Sequence, residues 1–329
     1  MTEDPSDLES LPELSFAGVQ TFLKAEHTPP DELGGDVDVD VGVLGVPFDG
    51  AVSRQPGARF GPGALREASA WFAYLGGYKG GVHNVETDTT VSYDDITIRD
   101  CGDVPTVPTS IERTRPQVIA AVEAVAERAF PVVLGGDHYI TYPSFVGYAR
   151  SVGERVGMIH IDAHSDTVES SALYGEHFHG SPMARIDESE YGSYENHAMV
   201  GIRGYEGPEF PDLVEERGIQ VSYAPDVRER GIEACIEDAI DHATDGTEHV
   251  YLTVDIDGVD PAYAPGTGTP EPGGLTSDDL LRAMDLLGEC DAIGAMDLME
   301  VAPKLDPTES TQRLGANAVV RFLESKFLH

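Results

Sequence analysis

His249-Val250-Tyr251-Leu252-Thr253-Val254-Asp255-Ile256-Asp257 is the stretch around which this chain is organised. The run up to Val254 is β-branched and aromatic and ends in two carboxylates, so it reads as a buried strand carrying acid to its C-terminal tip. Residues two apart on a strand share a face, which predicts Asp255 and Asp257 side by side. Two adjacent carboxylates at an apolar core repel. Either one holds a proton or a cation sits between them.

Two further stretches bear on that choice. Met158-Ile159-His160-Ile161-Asp162-Ala163-His164-Ser165-Asp166 is again an apolar strand opening into ligand-type residues, with Asp162, His164 and Asp166 on one parity. Val132-Val133-Leu134-Gly135-Gly136-Asp137-His138 ends a short apolar strand in a histidine. In a parallel α/β sheet such tips meet in one crevice outside the strand carboxyl ends. Four carboxylates, Asp162, Asp166, Asp255 and Asp257, balance two divalent cations, with His138 and His164 as neutral donors. Mixed oxygen and imidazole ligands suit Mn²⁺ better than a thiolate-preferring metal. An acidic protein scatters Asp and His by chance, and one such segment would mean little; three strand-terminal clusters exceed that reading.

The rest of the composition narrows the class. Among 329 residues, 59 Asp and Glu face 21 Lys and Arg, a net charge of −38, and the only lysines are Lys24, Lys79, Lys304 and Lys326. Such a surface repels nucleic acid and anionic membranes, whose binding depends on basic neutralisation. Self-repulsion of this size is screened at high salt, which points to a salt-rich cytosol such as a halophile's. No tract is long and apolar enough to cross a bilayer. No basic region followed by an apolar core opens the chain, so the cytoplasm is the expected location. Cys101, Cys235 and Cys290 lack C-x-x-C spacing and read as reduced, packed thiols.

In chain order, residues 1–35 read as an acidic tail followed by an apolar docking segment at Ser15–Leu23. Asp36, Asp38 and Asp40 lack the glycine and glutamate of a calcium loop and lead, solvated, into a first core strand near Val39–Val46. A helix is expected at Ala64–Trp71, with Arg59 and Arg66 in structural ion pairs. The Gly- and Tyr-rich stretch Gly76–Asp94 reads as a long loop able to act as a lid. Strands and helices then alternate, including a helix at Pro116–Arg128 with proline in its first turn. Repeated βα units predict a parallel sheet with helices on both faces, and residues 36–329 form one catalytic domain.

A water shared by two cations loses a proton near neutral pH and becomes a hydroxide nucleophile, so hydrolysis of a polar carbon centre is the expected reaction. No G-x-S-x-G elbow and no Gly-rich loop followed by Lys-Ser/Thr is present.

Gly135-Gly136-Asp137-His138, Asp162-Ala163-His164-Ser165-Asp166 and Asp255-Ile256-Asp257-Gly258-Val259-Asp260-Pro261 resemble the three signatures of the ureohydrolases, the arginases, agmatinases and related guanidino hydrolases. The likeness extends to Pro56–Pro62, His179-Gly180, Gly266–Pro270 and Met299-Glu300-Val301, and so covers nearly everything from the first core strand onward. The resemblance implies a three-layer α/β/α, arginase-like fold with a mainly parallel sheet, and two Mn²⁺ per chain. By motif position, His138, Asp162, Asp166 and Asp255 would hold one ion, and Asp162, His164, Asp255 and Asp257 the other. Asp166 would orient the hydroxide, His179 would shuttle a proton to the leaving amine, Glu300 would pair with guanidinium, and Thr269 would line the pocket. His179 as a surface-loop histidine and Glu300 as an ion-paired strand end are the bland alternatives. His160 and Asp297 fit hydrogen-bonded core as well as support for the ligands. The family also suggests a homo-oligomer, a trimer or hexamer.

Substrate choice turns on the far end of the molecule. Arginases carry Asn two positions after the last Asp of the second signature, where it meets the substrate carboxylate; here Val168 stands there. An unpartnered carboxylate at that point costs roughly 1–3 kcal/mol or more. Arginine is disfavoured, and agmatine, whose amine the acids Glu169 and Glu176 would attract, is expected to give putrescine and urea. Guanidinobutyrate, guanidinopropionate and free guanidine, the last with nickel, are the alternatives, favoured if Arg54 or Lys79 faces the pocket. A one-zinc deacetylase of related fold would lack the six-ligand set. A metal-dependent binding protein would lack turnover despite its ligands, but His179 and Glu300 together argue for catalysis.

Overall fold

The computed structural model describes residues 13–34 and 38–328, apart from the side chains of Tyr78 and Lys79. The tail up to residue 12 and Asp36 lie outside the described residues. In chain order the elements are β1 (Glu26–His27), β2 (Val41–Gly45), α1 (Gly61–Lys79), β3 (Val82–Asn84), β4 (Thr89–Val91), β5 (Ile98–Asp103), α2 (Ile111–Ala126), β6 (Phe130–Leu134), α3 (Thr141–Val152), β7 (Gly157–Ile161) and α4 (Pro182–Asp187). They continue with β8 (His197–Val200), α5 (Phe210–Arg217), β9 (Gln220–Ser222), α6 (Ala224–Arg230), α7 (Ile232–Ala243), β10 (Val250–Asp255), α8 (Ser277–Gly288), β11 (Ile293–Met299) and α9 (Ser310–Phe327).

Among the described residues nine strands form one sheet in the order β1-β5-β2-β6-β11-β10-β7-β8-β9, and every neighbouring pair in it is parallel. The central strands are buried on both faces, which is why they read as unbroken apolar runs. On one face Ile159, Ile161, Leu252, Val254 and Leu298 pack with Leu65, Ile236, Leu280 and Phe322 of α1, α7, α8 and α9. On the other, Met158, Val133, Tyr251 and Met299 pack with Val122 and Phe145 of α2 and α3. The result is the three-layer α/β/α arrangement that the alternation predicts. The docking segment contributes too: Phe22 and Leu23 are buried, their N–H groups donate to Asp100 and Ser69, and β1 adds at the sheet edge beside β5.

Two expectations need correction. The stretch Gly76–Asp94 is not a long loop: α1 continues to Lys79, ends on Gly80 in the left-handed conformation, and is followed by the β3–β4 hairpin. Gly76 is a point of close approach, since a Cβ there would lie 3.0 Å from the Tyr93 ring. Glu86 of the hairpin pairs with Arg321, and Tyr93 donates to Glu324 at 2.6 Å, so this segment packs on the C-terminal half of α9 rather than over the strand tips. The second correction concerns α2, which starts at Ile111 with Ser110 as its cap, so Pro116 lies beyond its first turn. The ion pairs are as expected: Arg59 binds Asp49, and Arg66 binds Asp100 at 2.8 Å and Asp103 at 2.6 Å.

Candidate metal centre

The sheet order explains the convergence. β6, β11, β10 and β7 are adjacent, so their C-terminal ends deliver His138, Glu300, Asp255 with Asp257, and Asp162 with His164 and Asp166 to one crevice. The means differs from the expected parity. β7 ends at Ile161 and the chain beyond it is irregular, with Asp166 in the left-handed region at φ 52°. β10 ends at Asp255, whose Oδ1 accepts the Asp257 N–H at 2.8 Å across a tight helical turn. Turns, not a continued strand face, bring these side chains together, because local hydrogen bonds by Asp side chains compete with the ladder. Glu300 is also left-handed, at φ 61°. Such a conformation in a non-glycine residue costs about 1–3 kcal/mol and is typical of functional sites. Gly136 makes room for the tip of β6, since a Cβ there would fall 1.6 Å from the Phe48 carbonyl oxygen.

Two histidine nitrogens each face a set of carboxylates. His138 Nδ1 lies 3.0 Å from Asp162 Oδ2, 2.8 Å from Asp166 Oδ2 and 3.3 Å from Asp255 Oδ2. His164 Nδ1 lies 3.2 Å from Asp257 Oδ2 and 3.6 Å from Asp162 Oδ1. Asp162 belongs to both groups; Asp255 approaches His138 with Oδ2 and the backbone of Asp257 with Oδ1. Burial and the charges of Asp257 and Asp162 push the Asp255 carboxyl well above its usual range. Burial likewise raises Asp257 to about 6, against the pull of His164.

The far side of His138 shows what its near side must meet. Nε2 lies 3.0 Å from Thr253 Oγ1, and that hydroxyl donates to Asp297 Oδ1 at 2.6 Å while Tyr251 Oη donates to Asp297 Oδ2 at 2.9 Å. With its proton committed to Asp297, Thr253 accepts from His138 Nε2–H, which leaves the lone pair on Nδ1. Nδ1 is fully buried among carboxylate oxygens at hydrogen-bond distance, yet none of them is aligned to accept a proton from it. A lone pair held among anions is repulsive unless a cation lies between, so these residues fit a bound metal. His160 supports Asp162 with Nε2 at 2.7 Å, and Thr269 donates to Asp257 Oδ2 at 2.9 Å. The Thr269 loop is itself tied to α9 by Gly266 N–H to Thr311 Oγ1 at 2.8 Å.

His179 and Glu300 meet beside this cluster. His179 Nδ1–H donates to Glu300 Oε1 at 3.0 Å, which also accepts the His138 N–H at 3.0 Å. Glu300 Oε2 is buried and has no partner. Burial opposes a charge on His179, but the Glu300 hydrogen bond and carboxylate outweigh it and raise the imidazole to about 9.

A cavity of about 200 Å³ opens onto the centre, lined among others by Ser53, His164, Asp166, Val168, His179, Tyr205, Glu206, Asp255 and Thr269. Val168 is at its rim as expected. Glu169 and Glu176 are exposed and do not line it; beyond Asp166 and Asp255, the acid that does is Glu206, whose oxygens accept the Ser165 N–H at 2.8 Å and the Ser165 hydroxyl at 2.9 Å. Arg54 is exposed outside the lining, and the Lys79 side chain lies outside the described residues. Sequence reasoning missed Ser53, Thr253 and Glu206. Glu206 alone had a signal, since it follows the tip of β8, next to β7.

Known proteins share this arrangement. A family model described as the arginase family matches residues 39–324. An agmatinase of Chromobacterium violaceum is 35% identical over 299 residues, 91% of this chain and 86% of that protein. A guanidinopropionase of Pseudomonas aeruginosa is 33% identical over 322 residues, 97% and 94% of the two chains. The solved structure of proclavaminate amidino hydrolase from Streptomyces clavuligerus superposes with a TM-score of 0.80 at 30% identity, covering 96% of this chain and 99% of that one. A metal-fitting cluster at the tips of β6, β10 and β7, in a fold and sequence matched along almost the whole chain, makes this protein a member of the arginase family, hydrolases of guanidino and amidino compounds that work with a binuclear metal centre.

Proposed function

We propose that this enzyme hydrolyses agmatine to putrescine and urea with two Mn²⁺ per chain. The observation that carries the substrate is the cavity wall: among the described residues no Lys or Arg lines it, and Glu206 does. A cationic tail gains a carboxylate partner there, whereas a guanidino acid would set its carboxylate against Glu206 and the apolar Val168. Manganese is favoured by a donor set of carboxylate oxygen and imidazole without thiolate.

His138, Asp162, Asp166 and Asp255 are the ligands we assign to one ion, and Asp162, His164, Asp255 and Asp257 to the other. Bound there, a pair of divalent cations supplies a water acidic enough to act as a nucleophile near neutral pH. Asp166, left-handed at φ 52° and lining the cavity, would accept a hydrogen bond from a water held there. Glu300 Oε2, buried and unpartnered, receives a guanidinium N–H and orients the carbon for attack. His179, held toward its charged form by Glu300, carries the proton needed by the departing nitrogen. Thr269 lines the cavity and holds Asp257 in place. The trimer or hexamer, the cytoplasmic location, and the division into a tail and one catalytic domain belong to the same proposal.

The deciding experiment is urea release after Mn²⁺ loading in molar KCl, from agmatine, arginine, 4-guanidinobutyrate, 3-guanidinopropionate and guanidine. Agmatine should give the highest kcat/KM. A guanidino acid turned over faster than agmatine would refute the substrate, and urea from none of them would refute the reaction.

A further inference from the structure

Ser53 lies in the loop after β2, and three hydrogen bonds pin that loop to the site. Ala51 N–H donates to Asp137 Oδ2 at 2.8 Å, the Ala51 carbonyl accepts the His179 N–H at 3.0 Å, and Tyr174 Oη donates to the Ser53 carbonyl at 3.1 Å. Two groups of Ser53 then meet one atom: its N–H lies 3.0 Å and its Oγ 2.6 Å from His179 Nε2. Nδ1, on the other side of the ring, is taken by Glu300. Both nitrogens are therefore occupied, and His179 is only 8% exposed. Of the groups touching them, Ser53 lines the cavity that also meets His164 and Asp166, and Glu300 does not.

A backbone N–H can only donate, so it suits the neutral ring, whose Nε2 carries a lone pair. A hydroxyl donates and accepts and turns freely, so Ser53 Oγ can stay bonded to Nε2 in both protonation states. The charged groups acting on the ring, Glu300 from the tip of β11, Asp137 from β6 and Asp166 from β7, are all acids and favour the protonated state. Proton transfer in either direction is thus available at a single hydroxyl, on a residue that lines the cavity.

We propose that Ser53 is the proton relay between His179 and the leaving nitrogen, an inference that rests on the guanidino-hydrolase reading. As the C–N bond breaks, its electron pair stays on the departing nitrogen and takes the Ser53 Oγ proton. Oγ in turn takes the Nε2 proton of the imidazolium. Ser53 finishes as the hydroxyl it began as, His179 finishes neutral, and the amine leaves. The Ser53 N–H then stabilises the neutral ring.

The test compares Ser53→Ala and Ser53→Thr with the wild-type enzyme under Mn²⁺ loading. Ser53→Ala should lower kcat about 100-fold, the lower end of general acid–base effects, with KM and metal content little changed. Ser53→Thr keeps the hydroxyl and should restore most of the loss. An unchanged kcat in the alanine variant would overturn the relay, and so would a threonine variant as slow as alanine, which would assign the loss to loop shape. ¹⁵N-histidine NMR gives a readout independent of turnover: in Ser53→Ala the His179 Nε2 resonance and its titration midpoint should move while His83 and His249 stay put. A resonance that does not move would overturn the contact itself. A wild-type enzyme that releases urea from no guanidino compound would instead remove the reaction, and the relay with it, even where the NMR contact stands.

Discussion

Replacing Glu206 by Gln tests the basis of substrate choice. The side chain is half-buried, and each of its oxygens accepts one hydrogen bond from Ser165, at 2.8 and 2.9 Å. Burial raises the Glu206 carboxyl, and the Ser165 donors pull it back down. Gln has nearly the same shape and keeps a carbonyl for the Ser165 N–H, so the loss is chiefly one negative charge beside the cavity. A charge-assisted hydrogen bond to a substrate ammonium is worth about 1.5–3 kcal/mol at such a site, above the 0–1 kcal/mol of an exposed pair. At about 1.4 kcal/mol per tenfold, agmatine kcat/KM should fall roughly 10- to 150-fold. Because the tail contact is the same before and during reaction, the loss should appear mainly in KM. For 4-guanidinobutyrate the same change removes a repulsion, so its kcat/KM should hold or rise. The assay is urea release with both substrates at fixed KCl and Mn²⁺, beside far-UV circular dichroism to confirm folding. Equal losses for both substrates, or an agmatine kcat/KM within about twofold of the wild type, would refute the assignment of Glu206 to the tail.

Asp257→Ala should remove one of two ions and nearly all activity while leaving the fold, whereas His179→Ala should slow turnover and keep both metals; elemental analysis separates the two, and a fully active Asp257 variant would overturn the ligand assignment. The charge of −38 predicts a melting temperature that climbs from low to molar KCl as the Debye length shrinks from about 10 Å at 0.1 M to about 3 Å at 1 M, and a midpoint independent of salt would reject that account. Burial alone would raise the Asp306 carboxyl, but hydrogen bonds from Thr308 and Thr311 hold it well below its usual range, and it ties down the start of α9. Asp306→Ala should cost about 1–3 kcal/mol at neutral pH. Since the folded carboxyl titrates lower than the unfolded one, this stability is present above about pH 4 and is lost as pH falls further, so denaturant titrations should show the gap to wild type closing on acidification.

The parallel sheet, its helical covers and the six ligand-type residues were legible in the sequence because each is written locally. Apolar runs such as Val250–Val254 must be buried on both faces, and an acid at the end of such a run has nowhere to go but the strand tip. Even where local reasoning gave a wrong geometry, as for the parity of Asp162, His164 and Asp166, the side chains still meet in one crevice, because the tips converge however the chain turns beyond them. The Gly76–Asp94 stretch misled for the opposite reason. Gly76 reads as a loop residue, yet it marks a close approach to Tyr93, a contact that exists only once α1 and the hairpin are docked.

Ser53 and Thr253 belong to the tertiary structure alone, and Glu206 carried only the signal of following the tip of β8. Ser53 meets His179 across 126 residues of chain, and Thr253 meets His138 across 115. Thr253 sits in the middle of a strand, where a hydroxyl looks like any β-branched core residue until β11 sets Asp297 beside it and the turn after β6 brings His138 within reach. Glu206 is one of 59 acids, and charge by itself does not say which of them faces a cavity. A metal-fitting cluster was therefore readable from residue type at strand ends, while the cavity wall and the partners of His179 depend on contacts between distant loops, which only folding brings within hydrogen-bond distance.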